Sequence, residues 1–395
     1  MNFVLFDDER YFQFLPLTYT RPLASLRCGI WTMQEKWEQI TTQSVSFSSM
    51  GYLKEKFPLL TASDNIFINS ALFPTNDLFE KILQLKAGES LQHNQTLLAA
   101  RISQEVALDF SIPNILTNTQ LIQYDKEVLM LNKLWDLFSL NDTAIRADFE
   151  RITKGRVSAP LSITNTVIGR DIFVEEGAKV EASILNAETG PIYIGKDAEI
   201  MEGSMIRGPF SMGDHSVVKM GAKIYGATTL GPGCKVGGEI NNVLFYANSN
   251  KAHDGFIGNA VLGEWCNIGA DTNNSNLKNN YEEVKLWNEY KGSFEKTGLQ
   301  FCGLIMADHS KCGINTMFNT GTVVGVSCNI YGAGFPRNFV PSFSWGSAAG
   351  FTEYTLAKAV QTAHNVFKRR NIAFDVIEES IFKHVFQLTE QQRSK

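Results

Sequence analysis

The residues best suited to chemistry gather in one stretch. GGEINNVLFYANSNKAHDGFIGN (Gly237–Asn259) carries His253. An imidazole titrates near neutral pH, so it is an efficient general base. His309, in MADHSKCG (Met306–Gly313), is a second candidate base, with the capping of a turn as its structural alternative. Metal chemistry has little to work with. His215, His253 and His309 form no close pair, and the six cysteines contain no CxxC. Five of those cysteines fall in the second half of the chain, where a small apolar residue is an ordinary filler, so reduced thiols and a cytoplasmic setting are expected.

The elements that must hold His253 show in a period of six. Ile194, Ile200, Ile206, Met212, Val218, Ile224, Leu230 and Val236 are all aliphatic or Met, and the positions between them are mostly Gly, small or polar. Neither a helix nor a two-residue alternation has this period. It fits a solenoid whose stacked coils place one side chain at the same inward corner and so build a continuous apolar column. The pattern starts at Ile168, Val174 and Val180, and is expected to break at Gly237–Phe256 and again at Asn273–Phe301. It resumes with Leu262 and Ile268, and closes with Cys312, Phe318, Val324 and Ile330.

The 395 residues leave room for more than one domain, and 44% apolar with 19% charged residues is ordinary globular composition. A net charge of −5 argues against nucleic acid or an anionic membrane as the main partner. The apolar start Met1–Phe6 is followed by Asp7, Asp8 and Glu9 without a basic lead, which does not read as a signal peptide. Before the solenoid, Phe3–Phe6, Asn65–Asn69 and Thr96–Ile102 read as strands and Asn76–Leu85 as a helix. Leu26, Ile30, Met33, Trp37 and Ile40 recur at helical spacing. An α/β layer structure is therefore expected over residues 1–124. A helical linker follows over 125–160, then the solenoid over 161–346 and helices over 347–395. In the last segment Leu356, Ala359, Val360, Ala363, Val366 and Phe367 share a face. Lys368, Arg369 and Arg370 load its C-terminal end, and Asp375 with Glu378 caps a final helix.

LPLTYTRP at Leu15–Pro22, placed between a first strand and a helix, resembles the PLTxxxPK segment of the sugar-nucleotide pyrophosphorylase (nucleotidyltransferase) family. Where that family has a Gly-rich phosphate loop this chain has DDERYFQF (Asp7–Phe14). The family lysine is Leu23, and the metal-binding NGD corresponds to NSA (Asn69–Ala71). Arg10, Arg21 and Arg27 are the arginines left to supply positive charge to a phosphate, with a surface or structural role as the alternative, and Arg21 and Arg10 are the nucleotide-binding candidates. The resemblance implies Mg²⁺ only if this domain is active, and the NSA segment leaves no metal ligand to name.

The hexapeptide pattern resembles left-handed parallel β-helices. Gly237–Asn259 with NIGADTNNSNLKNN (Asn267–Asn280) resembles the acetyltransferase half of the bifunctional N-acetylglucosamine-1-phosphate uridylyltransferase/glucosamine-1-phosphate acetyltransferase family. The two-domain order resembles a variant of that family with a reduced first domain. The resemblance puts His253 on the catalytic histidine, Glu239 on the glutamate that orients it, and Asn276 on the asparagine of the family's NYDG. Asn241, Asn242 and Tyr225 fall near its sugar-phosphate lysine and arginine. Arg207, Lys223, Lys251 and Lys278 are the cations left to compensate. It further implies acetyl-CoA as donor, an amino-sugar phosphate such as glucosamine-1-phosphate as acceptor, and a homotrimer. Two other readings stay open: a bifunctional enzyme that also transfers a nucleotidyl group, and a non-catalytic sugar-nucleotide-binding or scaffold protein. γ-Type carbonic anhydrase, another left-handed β-helix, binds zinc through a histidine pair that this chain lacks.

Overall fold

The computed structural model describes residues 1–393. The chain divides into two compact units. Residues 1–14, 18–26 and 31–133 form the first; residues 15–17, 27–30 and those from 134 onward form the second.

The first unit is an α/β layer built on a six-stranded mixed sheet of order β2-β1-β3-β5-β4-β6. Its strands are β1 (Asn2–Phe6), β2 (Ser46–Ser48), β3 (Asp64–Asn69), β4 (Glu89–His93), β5 (Thr96–Ser103) and β6 (Gln120–Gln123). β1 runs parallel to β2 and β3, and β5 antiparallel to β3 and β4. The helices are α1 (Met33–Thr41), α2 (Asn76–Leu83), α3 (Gln104–Leu108) and α4 (Ile112–Asn118). Val4, Phe6, Phe67, Leu97, Ala100 and Ile102 from the sheet meet Ala107 and Ile115 in one core. The helical spacing from Leu26 onward overreaches. The helix starts only at Met33, where Thr32 and Glu35 form a reciprocal capping box. Gly29, at φ +87°, breaks any earlier turn, and a Cβ there would lie 2.4 Å from Asp148 Oδ2 and 2.9 Å from Ala144.

The second unit opens with α5 (Asp136–Ser139) and α6 (Asn141–Thr153), and then coils into a parallel β-solenoid. Side chains stack in register along each face. One column runs Val174, Ile194, Met212, Leu230, Phe245, Leu262, Met306, Val324 and Val340. A second runs Leu185, Ile206, Ile224, Ile240 and Ile257. These residues form one continuous buried core, so the burial of each coil depends on its neighbours.

The break expected at Gly237–Phe256 does not exist. That stretch is a full coil, with strands Glu239–Phe245 and Asn250–Lys251. Register partners are eighteen residues apart from Ile194 through Met212 to Leu230, and fifteen apart from Leu230 to Phe245. One seven-residue strand turns its corner at Asn242, at φ +56°, instead of using a separate loop, so the coil is shorter and the period of six loses phase. The second break is real: an antiparallel hairpin pairs Lys285–Asn288 with Ser293–Lys296. At the far end α7 (Leu356–Lys368) buries Ala359, Ala363 and Phe367, and α8 (Val376–Leu388) buries Ile381, Phe382 and Val385. Asp375 caps α8 by accepting from the backbone N–H groups of Ile377 and Glu378. No helix is long and apolar enough to cross a membrane among the described residues.

Candidate functional site

In the first unit the stretch Asp7–Phe14 leads into a short 3₁₀ helix, Glu9–Phe14, with Tyr11 and Phe14 buried. The Tyr11 hydroxyl donates to the Thr18 carbonyl at 2.6 Å. Asp7 is half-buried and accepts from the Ser49 hydroxyl at 2.5 Å and the Leu23 N–H at 3.2 Å. Burial nevertheless pushes its carboxyl up to about 7. Asp8 accepts from the Arg10 N–H at 2.9 Å and the Asn69 amide at 2.8 Å, and forms an ion pair with the Arg10 guanidinium. Arg10 also donates to Asn132 Oδ1 at 3.0 Å and Thr96 Oγ1 at 3.1 Å. Arg21 is buried, at 6% exposure. Of the two arginines expected to meet a nucleotide, one is tied to Asp8 and the other lies within the fold.

In the solenoid, His253 stands exposed on the turn that follows Asn250–Lys251. Lys251 is fully buried at a position that is Val180, Ile200, Val218 and Val236 in the preceding coils. Its ammonium donates to the carbonyls of His253 and Asp254, the latter at 2.8 Å. Burial lowers it to about 8, against the pull of Asp254 and Asp271. Lys251 therefore braces the His253 turn from inside the solenoid, where a phosphate has no access.

Glu239, at the start of its strand, accepts from the Tyr225 hydroxyl one coil below at 2.5 Å. Burial, then this bond, pushes the Tyr225 phenol up to about 12. No hydrogen bond joins Glu239 to His253 among the described residues. Tyr225 instead lines a cavity of about 720 Å³ with Arg207 and Lys223. Asn276 donates to Asn259 Oδ1 at 2.8 Å. With its amide turned to satisfy its neighbours, Asn242 accepts from Asn259 at 3.0 Å and donates to the carbonyls of Ala227 and Phe138. The three make an asparagine ladder up one corner of the solenoid. Asn241 sits beside it, its Oδ1 within 2.5 Å of where a Cβ on Gly226 would lie. Lys278 donates to the Glu283 carbonyl at 2.8 Å.

What surrounds His253 is a cavity of about 680 Å³. Lys235, Asn250, Asn267 and Lys311 from successive coils line it with Arg369 and Arg370 from the end of α7, and among the described residues no carboxylate lines it. Burial depresses Lys235, with Arg370, Lys219 and Arg369 adding repulsion, and burial lowers Lys311 to about 8. α7 is fixed against the solenoid by Phe367, which stacks on Trp265 at 4.0 Å. His309 is part of the same packing. It lies at a corner with φ +62°, 6% exposed, its ring 5.8 Å from Phe367 and 4.7 Å from Phe382. In the sequence Arg369 and Arg370 read first as a solvated helix end and second as a contact for CoA phosphates. Lys235, Lys311 and Asn267 carry no signal in the sequence beyond stacking with His253 once the fifteen-residue coil is known.

Residues 3–157 match the family model for sugar nucleotidyl transferases. The chain is also similar to a bifunctional sugar-1-phosphate nucleotidylyltransferase/acetyltransferase of Sulfurisphaera tokodaii, 25% identical over 54% of this chain and 47% of that protein. It is 29% identical to the bifunctional protein GlmU of Picosynechococcus over 34% of this chain and 27% of that protein. The resemblance to bifunctional nucleotidyltransferase/acetyltransferases thus holds, at low identity, and the matches span about half or less of these relatives' lengths. Among solved structures, UDP-N-acetylglucosamine O-acyltransferase of Moraxella catarrhalis matches 59% of this chain and 96% of its own, at 10% identity and a TM-score of 0.27.

Proposed function

We propose that this chain is an acyl-CoA-dependent N-acyltransferase acting on an amino-sugar phosphate, with glucosamine-1-phosphate and acetyl-CoA as the first pair to test. The observation that carries the reading is the exposed His253 at a cavity lined by four cationic side chains and, among the described residues, no carboxylate. Like charges gathered at one cavity raise each other's cost, and a polyphosphate relieves it. In the proposed reaction the sugar nitrogen attacks the thioester carbon and the new C–N bond forms. His253 takes the proton from nitrogen, the C–S bond breaks, and the thiolate recovers that proton. Lys235, Lys311, Arg369 and Arg370 hold the donor's phosphates, and Asn250 and Asn267 are polar groups free to orient its amides. Lys251 is assigned a positioning role beneath His253. The Tyr225–Glu239 pair, with Arg207, Lys223 and Asn241, is assigned to the acceptor. A homotrimer would supply that face from a neighbouring subunit, and a monomeric mass in solution would remove this part of the reading.

The test is thiol release from acetyl-CoA with glucosamine-1-phosphate, beside His253→Ala. His253 is exposed, so its loss should leave folding unchanged and lower turnover about a hundredfold or more. Unchanged turnover in the variant would remove His253 as the base. No turnover in the unaltered protein would reject this acceptor and donor. The match at residues 3–157 supports a second reading, sugar-nucleotide binding by the first unit. Asp8 already pairs with Arg10 there, so little release of pyrophosphate from UTP is expected.

A further inference from the structure

Buried polar atoms of three side chains, those of buried Glu289 and half-buried Trp287 and Gln392, have no hydrogen-bond partner among the described residues and meet at one cavity, several coils along the solenoid from His253. The cavity, about 410 Å³, is lined by Trp287, Glu289, Phe339, Phe351 and Gln392, with Arg337 among the rim residues. Trp287 lies on the first strand of the inserted hairpin, Lys285–Asn288, and Glu289 opens the turn that follows it. Glu289 is 8% exposed, and neither of its carboxylate oxygens has a hydrogen-bond partner among the described residues. The Trp287 Nε1–H lacks an acceptor and Gln392 Oε1 lacks a donor. Trp287 stacks on Phe339 at 4.7 Å and 18°, which makes one wall flat and aromatic. Arg393 also borders the space, but its guanidinium pairs with Glu353 at 3.2 Å, donates to Thr389 and Phe386, and lies 4.0 Å from the Phe386 ring.

Buried polar atoms in folded proteins are almost always paired, so three unpaired groups around a cavity point to a partner beyond the described residues. Two acceptors and one donor beside an aromatic wall complement a group rich in N–H donors and positively charged. We propose that this cavity binds a small primary amine carried on a flat ring, with the ammonium on Glu289 and Gln392 and the ring against Trp287 and Phe339. This site is independent of the transferase reading. Burial pushes the Glu289 carboxyl up to about 8, and the side chain of Gln392 lowers it in part. At neutral pH, Glu289 therefore gives up its proton as the ammonium arrives.

The experiment is calorimetric titration of the full chain with phenethylamine at pH 7, in two buffers of different ionisation enthalpy, beside 2-phenylethanol. The expected result is amine binding at least tenfold tighter than the alcohol, with close to one proton released per site. Glu289→Gln should weaken the amine at least tenfold while the alcohol is unaffected. Equal binding of amine and alcohol, no binding of the amine, or binding without proton release would each overturn the proposal. The proton count is read on the unaltered protein, so the test decides even where the variant fails to fold.

Discussion

Lys251 puts a charge where the preceding coils keep only aliphatic side chains, and that makes a measurable stability signature. Its ammonium falls from the ordinary 10.5 to about 8 because burial disfavours the charged form. Between pH 8 and 10.5 the folded state thus binds fewer protons than the unfolded chain, so stability rises with pH through that window. Below pH 8 the full cost of the shift, about 3 kcal/mol, is present. It shrinks by about 2 kcal/mol between pH 7 and 9.5. Lys251→Met keeps the length of the stem in the column and removes the titrating group. The expected outcome is that the unfolding free energy of the native protein gains about 2 kcal/mol on that of the variant from pH 7 to pH 9.5, read by urea unfolding at both pH values. Taking the difference cancels Lys311 and every other group that titrates alike in both proteins. A flat difference, or one of opposite sign, would refute the placement of a charged lysine in the core. The variant also frees the carbonyls of His253 and Asp254, so turnover should fall about tenfold with little change in KM.

Arg369→Ala with Arg370→Ala should raise KM for the acyl donor about tenfold or more, most strongly at low salt, as steady-state kinetics across ionic strength would show. Asn259→Gly removes the middle rung between Asn242 and Asn276 at a corner whose φ of +46° glycine accepts, and should cost about 1–3 kcal/mol in thermal or urea unfolding while leaving KM for the acceptor unchanged. Asp8→Asn should release the Arg10 guanidinium and raise the affinity of the chain for UDP-N-acetylglucosamine, measured by titration calorimetry.

Much of the solenoid was legible because a repeating inward side chain is a signal that every coil restates. Val174, Ile194, Met212 and Leu230 keep it without exception. The signal failed at Glu239–Phe245 for a physical reason: Asn242 turns the corner inside a continuous strand, and a coil three residues shorter destroys the phase. The site suffered more from that failure than the fold did. His253 shows as a chemical type, but Lys235 and Lys311 become its neighbours only through coil-to-coil register. Lys251 and Asn276 have polar side chains and fall beside motif positions, so sequence alone assigns them to a ligand. Burial and geometry give the first to the turn beneath His253 and the second to Asn259. Leu26 and Ile30 show the opposite error, in which apolar spacing extends a helix past the capping box at Thr32 that starts it.

The first unit keeps a nucleotidyltransferase-like segment while its phosphate loop has changed chemistry, and Asp8 explains how the loop stays folded. A loop that binds phosphate leaves several N–H groups and a cation unsatisfied until the anion arrives. Here the carboxylate of Asp8 takes the Arg10 N–H, the Arg10 guanidinium and the Asn69 amide, while the Asp7 N–H bonds the Ser48 carbonyl. Tyr11 and Phe14 are buried in the 3₁₀ turn that replaces glycines, giving that turn packing of its own. An internal anion thus does for the empty loop what a phosphate does for a binding loop. An incoming nucleotide would have to displace a carboxylate already held by charge-assisted bonds in a largely desolvated setting, which makes weak binding the expected state of this unit and Asp8 the residue that sets it.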